Sequence, residues 1–379
     1  MGSKLGIGII GCGIIAARHI DACKQLGEWC EIKAVADISR EKAEQAAASA
    51  GEGTAIYTDY KEMLERSDID IISLCTPPFF HKEPALAAFA KGKHVLVEKP
   101  LAPSLEDCDA MIAAARAHNC KLATVFQLRF LPDIQKIKRI LDSDVMGPLV
   151  SAQMSGNYWR GDKYYDVPWR GKFASECGGV TMNHAIHTMD LFLWLMGQPL
   201  EQVRAEMDTI NHDIEVEDWS TATMRFAGGA VAQATCSLTT VREGHEMNFS
   251  SQRHYVGFPY ALHAVQQTDL GGAKMDREAI AELEQAALPT GDEPELPTLG
   301  HCHQYYDLFE AIRTDSEPMI SGAEGRRTIE AITAIYKSAT LGEPVSLPIA
   351  DSDPWYTAEG IQRLVKRSGR GESAQESTS

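Results

Sequence analysis

Leu5-Gly6-Ile7-Gly8-Ile9-Ile10-Gly11-Cys12-Gly13-Ile14-Ile15-Ala16 is the stretch on which the fold of the first third turns. Leu5 to Ile10 reads as a short apolar strand closed by Gly11, and Ile14 to Leu26 has helical spacing. Between them Gly11 to Ala16 fits G-x-G-x-x-A, with an acid, Asp37, 21 residues after its last position. Gly11 allows the tight turn, Gly13 lets backbone approach a pyrophosphate, and Ala16 permits close helix–strand packing. The helix N-terminus offers N–H donors to the anion. These features point to a dinucleotide site; a glycine-rich turn in another α/β fold is the competing reading. Ile14, Ile15 and Ile38 belong to the same cofactor-facing segments. Asp37 accepts from the adenosine ribose and favours NAD, since a carboxylate repels a 2′-phosphate. Arg40, three residues on, keeps NADP as the alternative.

Outward from this turn, strands and helices alternate. Strands are expected at 31–36, 69–75, 94–97 and 122–126, and helices at 40–50, 83–91 and 105–118. That order implies a parallel sheet covered on both faces, a doubly wound Rossmann-type domain over residues 1–125. After a helix at 132–142 the texture changes. Long alternating stretches at 149–158, 217–226, 229–240 and 245–256 imply a large, mostly antiparallel sheet. Helices are expected at 180–196, 302–313 and 323–340, so residues 126–367 read as an α+β substrate and oligomerisation domain. The segment 268–300, around one helix at 276–286, reads as an excursion that forms a lid or an oligomer contact, and 368–379 as a disordered polar tail.

The chain has 379 residues, enough for two full cores, with 44% hydrophobic and 23% charged side chains, which excludes a disordered or fibrous protein. A formal charge of −17 argues against nucleic acid and against anionic membranes as partners. Nine scattered cysteines with no C-x-x-C pair fit free thiols in the cytoplasm. The apolar start carries four glycines and reads as a strand and turn, not a targeting segment, and no membrane span is expected.

Four further motifs follow in order: Thr76-Pro77-Pro78-Phe79-Phe80-His81, Glu98-Lys99-Pro100, Gly178-Gly179, and Asn183 through His187 to Asp190. Joined to the fingerprint, they resemble the Gfo/Idh/MocA family, named for glucose–fructose oxidoreductase and inositol dehydrogenase. Trp159-Arg160, Tyr164-Tyr165, Trp169-Arg170-Gly171 and the run Ala334 to Ala339 resemble its sugar-oxidising members. The resemblance spans roughly residues 5–255 and 300–350. It implies an N-terminal Rossmann domain and a C-terminal open-faced sheet through which a homodimer or homotetramer assembles. It also implies NAD(P)-dependent oxidation or reduction of a sugar, glycoside or polyol.

Oxidising a secondary alcohol needs a hydride acceptor, a base and a stabiliser for the developing oxyanion. Lys99 ends a strand, where ligands sit in a doubly wound sheet. The resemblance makes it the catalytic lysine, touching cofactor and substrate beside Glu98, and implies a cis Lys99–Pro100 peptide. Asn183 and His187 share a helix face, and histidine titrates near neutrality. By resemblance His187 is the general acid/base and Asn183 stands where many members carry Asp; an amide hydrogen-bonds a sugar hydroxyl but brings no charge. Asp190 either orients His187 or caps. Thr76 and Pro77 join the cofactor set. His81 either lines that site or caps its helix, and Gln127 and Arg129 either approach the nicotinamide or hold the domain junction. Trp159, Arg160, Tyr164, Tyr165, Trp169 and Arg170 form an aromatic–arginine segment. It reads either as a substrate wall of aromatic faces and bidentate donors or as aromatic core packing with surface arginines. By resemblance Trp169 and Arg170 also approach the cofactor. Gly178-Gly179 lets backbone come close to substrate or nicotinamide, or is an ordinary helix entry. His301 reaches the substrate from a helix start. His184-x-x-His187-x-x-Asp190 and His301-Cys302-His303 contain ligand types but incomplete sets, so no metal is expected.

Two other classes remain open on sequence grounds. One is a glycoside-cleaving enzyme that uses NAD in an internal redox cycle. The other is a cofactor-binding sensor without turnover, which retention of Lys99 and His187 argues against.

Overall fold

The computed structural model describes residues 4–289, 291, 296, 297 and 300–365. The polar tail expected at 368–379 lies outside them. The chain divides into two units, Met1–Gln127 with Glu295–Ile329, and Leu128–Pro294 with Glu330–Ser379.

In the first unit the strands are β1 (Leu5–Ile10), β2 (Cys30–Ala36), β3 (Ala55–Tyr57), β4 (Ile71–Leu74), β5 (His94–Val97) and β6 (Leu122–Thr124). They pair in parallel in the order β3-β2-β1-β4-β5-β6. The order reverses between β1 and β4, which opens a crevice at the carboxyl ends of those strands. Two of the crossover helices start where the sequence supplies an oxygen cap. Ser39 accepts from Lys42 N ahead of Arg40–Ala50, and Ser104 accepts from Asp107 N ahead of Leu105–Ala117. The core packs Ile7, Ile9, Val35, Ile71 and Leu96 against Ile20, Cys23 and Leu26 of the segment after the fingerprint. Tyr305, Leu308 and Phe309 of the helix Gly300–Thr314 join that core. A stretch grouped by sequence with the second domain thus returns to the first unit, because its apolar face finds its partners there.

The second unit holds β7 (Ser151–Trp159), β8 (Leu200–Asp208), β9 (Trp219–Phe226), β10 (Val231–Ser237), β11 (Thr239–Ser250), β12 (His254–Phe258), β13 (Ala261–Gln267), β14 (Ala273–Met275) and β15 (Val345–Ser346). They form one sheet in the order β14-β13-β12-β11-β7-β10-β9-β8-β15. All neighbours are antiparallel except β7 and β10. One face is apolar: Ala152 and Met154 are buried while Ser151 and Gln153 are exposed, and Val203, Ala205 and Met207 are buried while Arg204 and Glu206 are exposed. The helix Ile186–Met196 lies on the apolar face, where Phe192 stacks on Phe249 at 5.7 Å between ring centroids. This helix is anchored from a neighbouring segment by Arg129, which donates to both Asp190 oxygens, at 2.8 and 2.6 Å, with both side chains fully buried.

The expected excursion contains β14 on the sheet edge and the helix Arg277–Ala286. None of the nine cysteines forms a disulfide; eight are buried and Cys12 is half-buried. Among the described residues no helix is long and apolar enough to cross a membrane.

Candidate active site

The first unit builds a cradle at the carboxyl end of β1. Gly11 adopts φ +90°, and a Cβ there would lie 2.8 Å from the Cys75 carbonyl carbon and oxygen. Only glycine fits that turn. A Cβ on Gly13 would meet nothing within 4 Å, so the space beside it is open. The Asp37 carboxylate is fixed by Cys12 N–H at 2.8 Å and Ser39 N–H at 2.8 Å. Ile14 and Ile38 stand 96% and 97% exposed on the two segments that flank the turn; Ile15 is half-buried. An anion-accepting turn, a fastened carboxylate and two uncovered isoleucines fit a pyrophosphate, a ribose and an adenine. Arg40, exposed, donates to Glu44 at 2.9 Å. Burial, and then the charge of Asp37, push the Cys12 thiol up to about 12, so it stays neutral beside the cradle.

Thr76 and Pro77 follow β4, half-buried and exposed respectively. His81 is fully buried and gives its helix no side-chain cap. Its Nε2 faces the Thr76 carbonyl at 2.8 Å and its Nδ1 faces the Pro100 carbonyl at 3.1 Å, so it ties the loop after β4 to the loop after β5. Burial lowers its pKa. Directly after β5 come Glu98, buried, and Lys99, half-buried, with a cis Lys99–Pro100 peptide. Glu98 accepts from Lys99 N–H at 3.1 Å, while His19 Nε2 lies 3.0 Å and His301 Nε2 3.7 Å from its Oε1. Burial alone would raise the Glu98 pKa, but the two imidazoles outweigh it and hold the carboxyl below the usual carboxylate range. His19, lowered by burial, presents Nδ1 to Ser73 Oγ at 2.8 Å and to Tyr305 Oη at 3.1 Å. His301 thus lies against Glu98, 5% exposed. His19, Glu98 and His301 bring ligand-type atoms within 4.8 Å of one another, and the contacts above account for that closeness. Sequence reasoning missed His19, although its place three residues after Ala16 puts it on the helix face turned to the sheet. Gln127 is half-buried at the end of this unit.

In the second unit the segment after β7 folds into an aromatic and arginine cluster. The Arg170 guanidinium lies 3.7 Å from the Tyr164 ring centroid and 4.5 Å from that of Trp169. Arg160 lies 5.4 Å from the Tyr164 centroid and donates to Glu243 at 3.1 Å. Tyr164 packs on His184 at 5.6 Å and on Tyr165 at 5.1 Å. His212, held by Asp218 at 2.9 Å, faces the Arg160 carbonyl at 2.8 Å and so fixes the segment's path. Burial, followed by the charges of Glu176 and Asp218, keeps the Tyr165 hydroxyl protonated.

Gly178 and Gly179 answer to packing. A Cβ on Gly178 would lie 2.0 Å from Tyr336 Oη, and one on Gly179 would lie 1.8 Å from the Glu217 carbonyl oxygen. The Glu217 carboxyl accepts from Gly179 N–H, Thr181 N–H and Tyr336 Oη, at 2.9, 3.0 and 2.9 Å. This fixes the π turn Val180–His184, which carries Asn183 and leads into the helix that carries His187. Both side chains are half-buried. Four residues apart across one turn, they share a face. Asn183 Nδ2 donates to Glu176 Oε1 at 2.6 Å. Glu176, buried, had no motif to announce it. Asp190 serves Arg129, as described above.

The family model described as the oxidoreductase family with an NAD-binding Rossmann fold matches residues 5–126, and the GFO/IDH/MocA C-terminal domain matches residues 134–253. The chain belongs to the Gfo/Idh/MocA oxidoreductase family. Within that family it is 25% identical to levoglucosan dehydrogenase of Pseudarthrobacter phenanthrenivorans over 391 aligned positions, covering 91% of this chain and 98% of the relative. It is 32% identical to 4-carboxy-2-hydroxymuconate-6-semialdehyde dehydrogenase of a Sphingobium species, over 63% of this chain and 73% of that one. Among solved structures it resembles the WlbA dehydrogenase of Bordetella pertussis in complex with NADH and UDP-GlcNAcA, at TM-score 0.78 and 28% identity, covering 92% and 99% of the two chains. The first unit of this Gfo/Idh/MocA protein is therefore an NAD-binding Rossmann domain, and the chain is an NAD(P)-dependent oxidoreductase.

Proposed function

We propose that the enzyme moves a hydride between nicotinamide and a secondary alcohol or ketone of a sugar, glycoside or polyol. The observation that carries the substrate class is the cluster of Tyr164, Trp169, Arg160 and Arg170, gathered in the same unit as Asn183 and His187. Aromatic faces cover the C–H surfaces of a sugar ring, and guanidinium forks and amides take its hydroxyls. Relatives named for levoglucosan and inositol support the same class.

NAD, when bound, supplies the hydride acceptor. The chain does the rest. Gly13 and the turn behind it receive the pyrophosphate, Asp37 the ribose, and Ile14 and Ile38 the adenine. Lys99, at the carboxyl end of β5, stabilises the negative charge that develops on the reacting oxygen. His187 takes the hydroxyl proton during oxidation and returns it during reduction. Asn183 orients a hydroxyl. Assembly as a homodimer or homotetramer through the open face of the nine-stranded sheet, and a cytoplasmic site of action, complete the proposal.

The test is a screen at 340 nm with NAD and with NADP over sugars, glycosides and inositols, repeated with Lys99→Ala and His187→Ala. NADH formation with one substrate class is expected, abolished in both variants while NAD still binds. Near-normal turnover in either variant removes that residue from the catalytic role. NAD binding with no NADH across the panel would move the assignment to internal-redox glycoside cleavage or to sensing.

A further inference from the structure

The amide at position 183 sits beside a carboxylate that no motif predicts. Glu176 closes the short helix Phe173–Glu176 and is buried. Its Oε2 accepts from Gly171 N–H at 2.6 Å, and its Oε1 accepts from Asn183 Nδ2 at 2.6 Å. The Arg170 guanidinium stands 3.8 Å from Oε1. Two hydrogen-bond donors and a nearby cation converge on this group, which is how an ionised carboxylate is satisfied in a protein interior. An acceptor-only partner settles the orientation of the amide: Nδ2 must face Glu176, so Oδ1 faces away as an acceptor.

We propose that Glu176 is a positioning residue for the reaction. It supplies the negative charge that Asn183 lacks, and it fixes the Asn183 carbonyl as the hydrogen-bond acceptor on the face shared with His187. That charge raises the basicity of His187 through space, and the polarised amide passes on its direction. This inference rests on the reading of His187 as acid/base.

The atom inventory makes a swap test possible. In Glu176→Gln the one remaining side-chain oxygen must stay on Gly171 N–H, because a backbone N–H cannot reverse. The new NH2 then faces Asn183 and turns its amide over, so that an N–H donor points where the acceptor was. The hydrogen bond between the two side chains survives, with its polarity inverted. Adding Asn183→Asp restores an acceptor on that face together with a charge. Asn183→Asp alone sets two carboxylates against each other at 2.6 Å and forces them to share a proton.

The experiment needs no substrate. The four proteins, wild type, Glu176→Gln, Asn183→Asp and the double variant, are labelled on histidine Cε1 and loaded with NAD. The His187 signal, assigned with His187→Gln, is titrated by NMR, and Tm is recorded for each. Glu176→Gln should lower the His187 midpoint by about half a pH unit or more, the size expected for one charge lost several ångströms away. Its Tm should stay near wild type. The double variant should restore the midpoint. With a substrate in hand, Glu176→Gln should lower kcat at least tenfold and the double variant should recover it. A midpoint unchanged in Glu176→Gln, or a double variant that behaves as Glu176→Gln does, overturns the assignment. A His187→Ala enzyme that still turns over overturns the reading of His187 instead, so the two failures are distinct.

Discussion

The two glycines of the fingerprint make opposite demands, and alanine separates them. At Gly11 the φ of +90° alone costs an alanine about 1–2 kcal/mol. The added methyl also meets the Cys75 carbonyl carbon and oxygen at 2.8 Å and Thr76 N at 2.9 Å. These are backbone atoms of the neighbouring strand end, so relief requires strand movement, at about 1–3 kcal/mol. Together the cost is roughly 2–5 kcal/mol, and at about 2–4 °C per kcal/mol for the transition of the first unit, roughly 160 residues, Gly11→Ala should lower that unit's Tm by at least about 4 °C. At Gly13 the methyl meets no protein atom within 4 Å. Gly13→Ala should leave Tm within about 2 °C, since the change touches nothing in the fold. It occupies the space into which the pyrophosphate must come, and losing one charge-assisted hydrogen bond costs about 1.5–3 kcal/mol. That is roughly a ten- to hundredfold rise in the Kd for NAD. Scanning calorimetry and a fluorescence titration with NAD read the two quantities. A Gly13→Ala protein that binds NAD as wild type does, or a Gly11→Ala protein of unaltered Tm, would refute the reasoning.

Asp37→Ser should weaken NAD while narrowing the preference over NADP, because the carboxylate that repels a 2′-phosphate is gone; the ratio of the two Kd values checks this. Arg129→Met leaves Asp190 charged and buried without its fork, so stability should fall by about 3–5 kcal/mol in urea unfolding; a loss under 1 kcal/mol would count against the pair as an anchor. Burial lowers the folded pKa of His19 and His81 below the unfolded value of about 6.5. Their contribution is therefore present above that value and lost as pH falls through the folded pKa, since the unfolded chain then binds the extra protons. Glu217, raised by burial, acts in the opposite sense. Tm should drop between pH 7.5 and 5.5, and an equal or higher Tm at pH 5.5 would contradict the sign.

The elements most legible in the sequence are those with local boundaries. Arg40–Ala50 and His94–Val97 run as expected, the first started by a serine cap, Ser39, and stopped at a positive-φ glycine, Gly51. Losses came where a strand is short or a turn carries no glycine or proline. Ala55–Tyr57 is a three-residue edge strand, half-buried throughout, with no alternation to detect. The stretch 245–256 contains two strands, β11 and β12, and the turn between them is made by Ser251, which receives His254 N–H on its hydroxyl at 3.1 Å. In β8 the signal was present in full: Val203, Ala205 and Met207 alternate with Arg204 and Glu206. The site divides the same way. The fingerprint, Glu98-Lys99-Pro100 and the Asn183–His187 face are contiguous and readable, whereas Glu98 meeting His19 and His301, and Glu176 meeting Asn183, are products of tertiary packing that no spacing encodes.

The single parallel pairing in the large sheet, β7 beside β10, obliges the chain to make a long excursion between them, residues 160–230. Arg160, Tyr164, Trp169, Arg170, Glu176, Asn183 and His187 all lie on that one excursion. The part of it ahead of the helix Ile186–Met196 adds no strand to the sheet, whereas that helix, β8 and β9 further along belong to the frame. A lineage could therefore redraw the proposed recognition surface largely within one continuous run of codons, and a chimera that exchanges residues 160–185 between relatives, leaving the strands in place, is the natural unit in which to test a transplant of substrate choice.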